Sequence, residues 1–384
     1  MPKRLAVLIL TYTTFSSEPR ALKQARYLKG LHDVTTAGYG TAPFADVGHV
    51  ELAASPAQRW GTPGRLLHLA VLGVRLHRLI TRLSARDREV HTKLGDRTWD
   101  VVIAHDLWSL EAALGLHPRL GVVLDLHEYA PAEATHSRIW RLVMKPYVEW
   151  LLREKMPLAV HVVTVGEGIA ERYSAEYNQS STVVTNATPF HDIAAGPAGD
   201  PLRLVHSGVA APERCLDRTI LAVVNTSANV TLDLYLVDIG TGELERLRAI
   251  AGGHPRVRFQ EPVPYDNLVE TLSAYDIGVS VFPPVTFNLE WCLPNKFFDF
   301  IQARLAVIVG PSPEMARIVR DKELGLVLED FESATLAHAL ETISAAQVVV
   351  WKESASARAW ELSSERQMDV WGEIIASLTQ LPIQ

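Results

Sequence analysis

The stretch Leu289–Gly310, LEWCLPNKFFDFIQARLAVIVG, joins a proline-bearing turn, an amphipathic helix and a Val/Ile run end to end. Pro294 suits the first turn of a helix, where its missing N–H costs nothing and its fixed φ is already helical, so the helix is expected to begin there. The amides that follow are unpaired donors at the positive end of the helix dipole, and Lys296 adds a full charge beside them. Asp299, three residues later, projects from the same side. This pattern suits a phosphate held next to a hydroxyl-bearing group. It equally describes an ordinary amphipathic helix with a surface Lys/Asp pair. The run LAVIVG that follows at once reads as a strand buried on both faces.

The same strand type recurs along the chain: RLAVLIL, DVTTAGY, DVVIAHD, GVVLDLHE and HVVTVGEG in the first half, then LRLVHSG, DLYLVDIG, VRFQEP, DIGVSVF and LGLVL. Uninterrupted apolar strands alternating with helical patterns predict α/β architecture with parallel sheets covered on both faces. The Pro/Gly-rich stretch ATPFHDIAAGPAGDPL separates the two sets. The expected organisation is two doubly wound Rossmann-like domains, 1–190 and 202–350, joined by a linker at 191–201 and followed by C-terminal helices over 351–384 that pack back toward the first domain. Ligands of such sheets sit at the carboxyl ends of strands, and two facing domains offer a cleft.

Composition bounds the function. A chain of 384 residues with 48% hydrophobic content is long enough for two cores, and its formal charge of −7 argues against a general nucleic-acid binder. Two cysteines, Cys215 and Cys292, supply neither a disulfide framework nor a zinc site by themselves, which fits a reducing cytoplasm. The opening MPKRLAVLILTYTTF reads as a buried first strand rather than a leader, and no apolar run has the length of a membrane span. One segment stands apart from the acidic balance: in GRLLHLAVLGVRLHRLITRLSARDR, Arg75, Arg78, Arg82 and Arg86 recur at helical spacing opposite Leu and Val. A solvated basic face explains it, and so does attraction to an anionic membrane surface or a lipid-linked phosphate.

Other motifs are weaker. Gly240-Thr-Gly242 follows a strand, but Glu245 stands where a dinucleotide fingerprint needs its third glycine. No Asp-x-Asp pair follows a strand, so no metal clamp for a diphosphate is expected, and amides with basic side chains must neutralise one instead. In LVHSGVAAPERCLDRTI, a strand, a glycine and a short loop carrying Arg214 precede a helix. His127-Glu128 brings two polar side chains out of a buried strand, either to cap the next element or to face a ligand.

Taken in order, several segments resemble GT-B glycosyltransferases, specifically the family-4-like retaining group that acts on bacterial surface polysaccharides and glycolipids. The likeness rests on EPRALKQARYLKGLHDVTTAG, WDVVIAHDLWSLEAAL, LDLHEYAPAE, HVVTVGEGIAERYSAEY, VVTNATPF, LVHSGVAAPERCLD, HPRVRFQEPVPYDNLVETLSAYDIGVSVFP and LPNKFFDFIQARLAVIVG. It implies a metal-independent transferase without a cofactor, whose second domain binds a nucleoside diphosphate-sugar and whose first binds a carbohydrate or lipid-linked acceptor. By the same resemblance Arg214 and Lys296 meet the diphosphate, Gly208 and Asn295 lie beside it, and Asp299 binds the ribose hydroxyls. Glu290 or Asn288 reaches the sugar, and His127 acts with Arg214 and Lys296 in catalysis. Glu18, Arg20, Asp106 and Glu128 fall on the acceptor side. A cytoplasmic place, peripheral at the inner face of the membrane, is expected. Two departures stand out: Val209 occupies the position after Ser-Gly where the family often has arginine, and eight rather than seven residues separate Glu290 from Asp299. A sugar-nucleotide epimerase of similar fold and a non-catalytic partner protein are the alternatives.

Overall fold

The computed structural model describes residues 4–53, 72–134 and 137–380. The chain forms two compact units, 1–184 with 368–384 and 185–367. The first holds seven strands: β1 Ala6–Thr14, β2 Asp33–Tyr39, β3 Gly48–Leu52, β4 Val101–His105, β5 Gly121–Leu126, β6 His161–Thr164 and β7 Thr182–Val183. They lie in the order β3-β2-β1-β4-β5-β6-β7, every pair parallel. The second holds β8 Leu202–Val209, β9 Val230–Val237, β10 Val257–Gln260, β11 Ile277–Ser280, β12 Ala306–Val309 and β13 Gly325–Val327, in the order β10-β9-β8-β11-β12-β13, again all parallel. Both sheets reverse their winding once, between β1 and β4 and between β8 and β11, which is where a doubly wound sheet opens a crevice at its carboxyl edge.

The reason for the unbroken apolar strands is visible in the second sheet. Side chains alternate faces along a strand, and Leu204, Ala306 and Ile308 enter one core while Val205, Val307 and Val309 enter the other. In the first unit the last helix, Ser364–Leu378, contributes Met368, Trp371, Ile374, Ile375 and Leu378 to the core around β1 and β4. The preceding helix, Ala345–Arg358, places Val348 and Ala355 in the cores of the second unit.

Two local expectations are corrected. The helix after Pro294 runs Asn295–Gln302, and Pro294 precedes it with ψ 146°, because its extended ψ ends the turn before the helix begins. The four arginines do not share one helix: Arg75 has φ 58°, the helices are His77–Leu83 and Ala85–Leu94, and Ser84 between them caps the second by accepting from the Asp87 amide at 3.3 Å. The part of that stretch before Leu72, and the side chain of Arg82, lie outside the described residues.

The helix Asn295–Gln302 lies hard against β11 because Gly278 has no side chain; a Cβ there would fall 2.3 Å from the Phe300 ring. Gly278→Ala is therefore expected to destabilise the protein by about 1–3 kcal/mol, the usual cost of overpacking. The measurement is the urea midpoint of unfolding at unchanged slope, and an unchanged midpoint would show that Phe300 yields freely.

Candidate functional site

The carboxyl edge of β8 and β11 gathers positive charge. β8 ends in Ser207-Gly208-Val209, and the turn Pro212–Arg214 then brings the Arg214 guanidinium over the Phe282 ring, 5.0 Å from its centroid. Arg214 Nη1 is buried and has no hydrogen-bond partner among the described residues. Lys296, half-buried on the first turn of its helix, donates from Nζ to His206 Nε2 at 2.8 Å. The direction of that bond is fixed from behind, since His206 Nδ1 donates to the Val279 carbonyl at 2.7 Å and leaves Nε2 with its lone pair. Gly208, at φ 140°, makes room for the lysine: a Cβ would lie 2.8 Å from Nζ.

Among the described residues no carboxylate forms an ion pair with Arg214 or Lys296, and Asp299 offsets the lysine's charge only in part. Burial, followed by the charge of Arg214, pushes Lys296 down to about 7. Burial pushes the neighbouring Cys292 thiol up to about 11 against the pull of Arg214 and Lys296, so it stays neutral. Asp299 lies on the same helix but is buried and accepts the Thr188 hydroxyl at 2.6 Å. Asn295 is exposed and accepts from Asn186 Nδ2 at 3.0 Å. Glu290 closes the short helix Phe287–Glu290, in which Asn288 also lies, and its half-buried carboxylate has no partner among the described residues. A site that crowds an arginine and a lysine, leaves a buried guanidinium N–H unpaired and keeps side chains away from a glycine is built to take an anion.

The carboxyl edge of β4 and β5 in the first unit has the opposite character. His127 follows β5, and Asp106 follows β4 with φ 61° and ψ 159°, a backbone region that costs a non-glycine residue of order 1–3 kcal/mol. Asp106 Oδ1 accepts the His127 amide at 3.4 Å and lies 3.7 Å from His127 Nδ1. Behind them Arg20 is fully buried. Its Nε and Nη2 donate to Asp125 at 2.7 and 2.6 Å, and its Nη1 donates to the Val184 carbonyl at 2.7 Å. All three guanidinium nitrogens of Arg20 are thus engaged inside the unit, where it supports the edge of the sheet from behind. Burial alone would lower His127, but the carboxylates of Asp106 and Asp125 outweigh it and raise it to about 9, while burial pushes His105 down to about 3. Burial raises Glu18, and Glu133 is pushed up to about 8 by burial and the charges of Glu128 and Asp106. His127 thus sits as an imidazolium among Glu18, Asp106, Asp125 and Arg20, with Glu128 and Glu133 beside Asp106.

Sequence reasoning missed His206, His105, Asp125, Gln24, Thr188 and Glu133. Histidines at the ends of the apolar strands DVVIAHD and LRLVHSG were the available signal for two of them. His105, Asp125 and His127 offer ligand atoms within 4.8 Å of one another, the metal-like group found among the described residues. Arg20 already forks onto Asp125, and the two imidazoles bond each other at 2.9 Å, so a guanidinium and a proton supply the charge an ion would bring. We read it as a hydrogen-bonded cluster.

This architecture is the GT-B fold. It is shared with Anabaena HepE in complex with UDP, at TM-score 0.72 and 12% identity over 97% of this chain and 100% of that one. It is shared with sucrose-phosphate synthase of Thermosynechococcus elongatus, at TM-score 0.69 and 14% identity over 98% and 100%. The same holds for a UDP-forming α,α-trehalose-phosphate synthase from Burkholderia vietnamiensis, at TM-score 0.68 and 12% identity over 99% and 100%. No family model matches the chain, and no curated protein matches it by sequence.

Lys296 must take up a proton to meet an anion once the pH exceeds about 7. Sulfate, which does not titrate near neutrality, is therefore expected to bind with affinity falling about tenfold per pH unit above that point, one proton being taken up. Calorimetry from pH 6 to 9 measures it, with Lys296→Met expected to give a weak, flat profile. A flat wild-type profile would place Lys296 outside the anion site.

Proposed function

We propose that this protein is a glycosyltransferase that uses a nucleoside diphosphate-sugar. The observation that carries the proposal is the Arg214–Lys296 pair beside Gly208, with a buried guanidinium N–H left unpaired. HepE, similar in fold, was solved with UDP and with UDP-glucose, which supports a uridine nucleotide as the first donor to test. In this reading Arg214 and Lys296 hold the diphosphate, and Asp299, oriented by Thr188, meets the ribose hydroxyls. Glu290 and Asn288 lie toward the sugar, and no metal is needed because side chains neutralise the phosphates.

The reaction breaks the bond between the anomeric carbon and the diphosphate oxygen and forms one between that carbon and an acceptor oxygen. The acceptor's proton passes to the departing diphosphate on the same face, which retains the anomeric configuration. The His127 imidazolium orients the sugar, and Glu18, Asp106 and Glu128 receive the acceptor. Arg214→Ala and Lys296→Ala are each expected to weaken UDP binding by about 1.5–3 kcal/mol while leaving uridine binding unchanged. Equal losses for both ligands would remove the pair from the site. NMR of the first-formed product reads the configuration, and inversion would contradict the retaining step.

The surface supports one acceptor class. No helix among the described residues is long and apolar enough to cross a membrane. Yet Val74, Leu76 and Leu79 are 66, 53 and 42% exposed, and Ile139 and Leu142 are 58 and 76% exposed. His77 packs against Tyr147 and Trp150 at 5.4 and 5.6 Å, so these two segments are neighbours. Arg75, Arg78, Arg138 and Arg141 are exposed among the apolar tips, whereas Arg86 lies over the Tyr12 ring at 5.5 Å and belongs to the fold. Apolar tips ringed by arginine suit an anionic lipid surface, and hence a glycolipid or lipid-linked acceptor of surface-polysaccharide synthesis. Sedimentation with acidic vesicles at low salt is expected, weakening as salt rises and lost on replacing these four arginines by glutamine. Binding indifferent to both changes would leave only a solvated basic face.

A further inference from the structure

Behind His127 runs a chain of buried polar groups. Gln24 and His105 are 0 and 1% exposed. Gln24 Oε1 lies 2.9 Å from His105 Nε2, and His105 Nδ1 lies 2.9 Å from His127 Nε2. An amide oxygen only accepts, so His105 donates from Nε2 and keeps the lone pair on Nδ1. His127 then has one way to complete the bond, by donating its Nε2–H inward. Its other nitrogen, Nδ1, lies 3.7 Å from Asp106 Oδ1 on the side that remains partly open, the His127 side chain being 21% and that of Asp106 34% exposed.

We propose that Gln24 and His105 are positioning residues that fix the His127 ring, so that Nε2–H points into the unit and Nδ1–H is presented beside Asp106. The inference deepens the reading of His127 as the group that serves the donor sugar, and its importance for turnover rests on that reading. The chain is directional, and direction is what a buried amide can impose. Asp125 lies 3.7 and 3.8 Å from the facing nitrogens of His105 and His127, but Arg20 holds it in place, so it contributes charge and not orientation. The charged groups facing His127 are Asp106 from the end of β4, Asp125 from β5, and Glu18 and Arg20 from the segment that opens the first helix. Arg20 lies one turn before Gln24 on the same buried helix face, but the Gln24 side-chain hydrogen bond is to His105, and a change at position 24 is read at His127 through that bond.

The arrangement leaves Gln24 Nε2 buried without a partner among the described residues. Turning the amide over would present an N–H to His105 and reverse the whole chain, with His105 donating from Nδ1 and His127 accepting at Nε2. Long-range ¹H–¹⁵N NMR of the histidine rings separates the two directions in the ligand-free protein, with His105 and His127 assigned from their glutamine variants. The expected spectrum shows His105 neutral with its proton on Nε2, and His127 protonated on both nitrogens at pH 7. In Gln24→Leu, His105 loses its acceptor and moves its proton to Nδ1, so the titration midpoint of His127 should fall by about one unit or more. Gln24→Glu restores an acceptor and should return the wild-type tautomer. A His105 proton on Nδ1 in wild type overturns the proposal without any variant. An unchanged His127 titration in folded Gln24→Leu also overturns it. Because these readings need no substrate, a failure of the transferase assignment shows separately, as absent UDP binding with the relay intact.

Discussion

Two cations confined near each other, with no carboxylate among the described residues in an ion pair with either, set the terms for the second unit. Placing Arg214 and Lys296 within each other's field is unfavourable by itself, and the lysine's proton affinity is depressed first by burial and then by that repulsion. The fold sustains it through rigid neighbours. Phe282 lies beneath the guanidinium, His206 takes the ammonium hydrogen bond, and Gly208 and Gly278 let strand and helix approach closely enough to hold both. Each device leaves the charge available instead of cancelling it. An anion is the partner that relieves the arrangement, and a diphosphate presents enough oxygens to engage both side chains at once.

The first unit solves a complementary problem. Its carboxyl edge collects acids around one histidine, and the sum of their charges keeps that histidine protonated even though burial opposes it. Glu133 is pushed up to about 8 first by burial and then by the charges of Glu128 and Asp106, so this carboxyl gives up its charge where the others keep theirs. The strained backbone of Asp106 fits a position held by its surroundings for a task. A protonated imidazole backed by a directional chain is suited to steady a polar group that gains negative charge, and the acids around it suit hydroxyl groups. In the proposed reading, anion binding by the second unit and hydroxyl recognition by the first are the two halves that sugar transfer requires.

The central strands were legible because both of their faces are buried, which leaves an unbroken apolar run, whereas the edge strands β3 and β7 are partly exposed, carry no such run and were not read. Lys296 and Arg214 stood out in the sequence because each lies just after a strand or at a helix start, and the structure brings their charges within each other's field. What escaped was pairing across distance. His206 meets Lys296 across 90 positions, Gln24 meets His105 across 81, and Arg20 meets Asp125 across 105. No local pattern encodes such partners, because the sheet order creates them. Arginine is usually exposed, and nothing local in the sequence shows that Arg20 is buried against the Asp125 fork. The arginine stripe looked like one helix because spacing cannot register that Ser84 caps a second helix and divides it.

The central claim is that Arg214, Lys296 and Gly208 form the diphosphate seat. A crystal structure of the protein grown with UDP tests it most directly. The account predicts density for both phosphates at the carboxyl edge of β8 and β11, with oxygens about 2.7–3.1 Å from Lys296 Nζ and Arg214 Nη1, and with the ribose toward Asp299. A nucleotide bound elsewhere, or one whose phosphates leave Arg214 Nη1 unpaired, would contradict it.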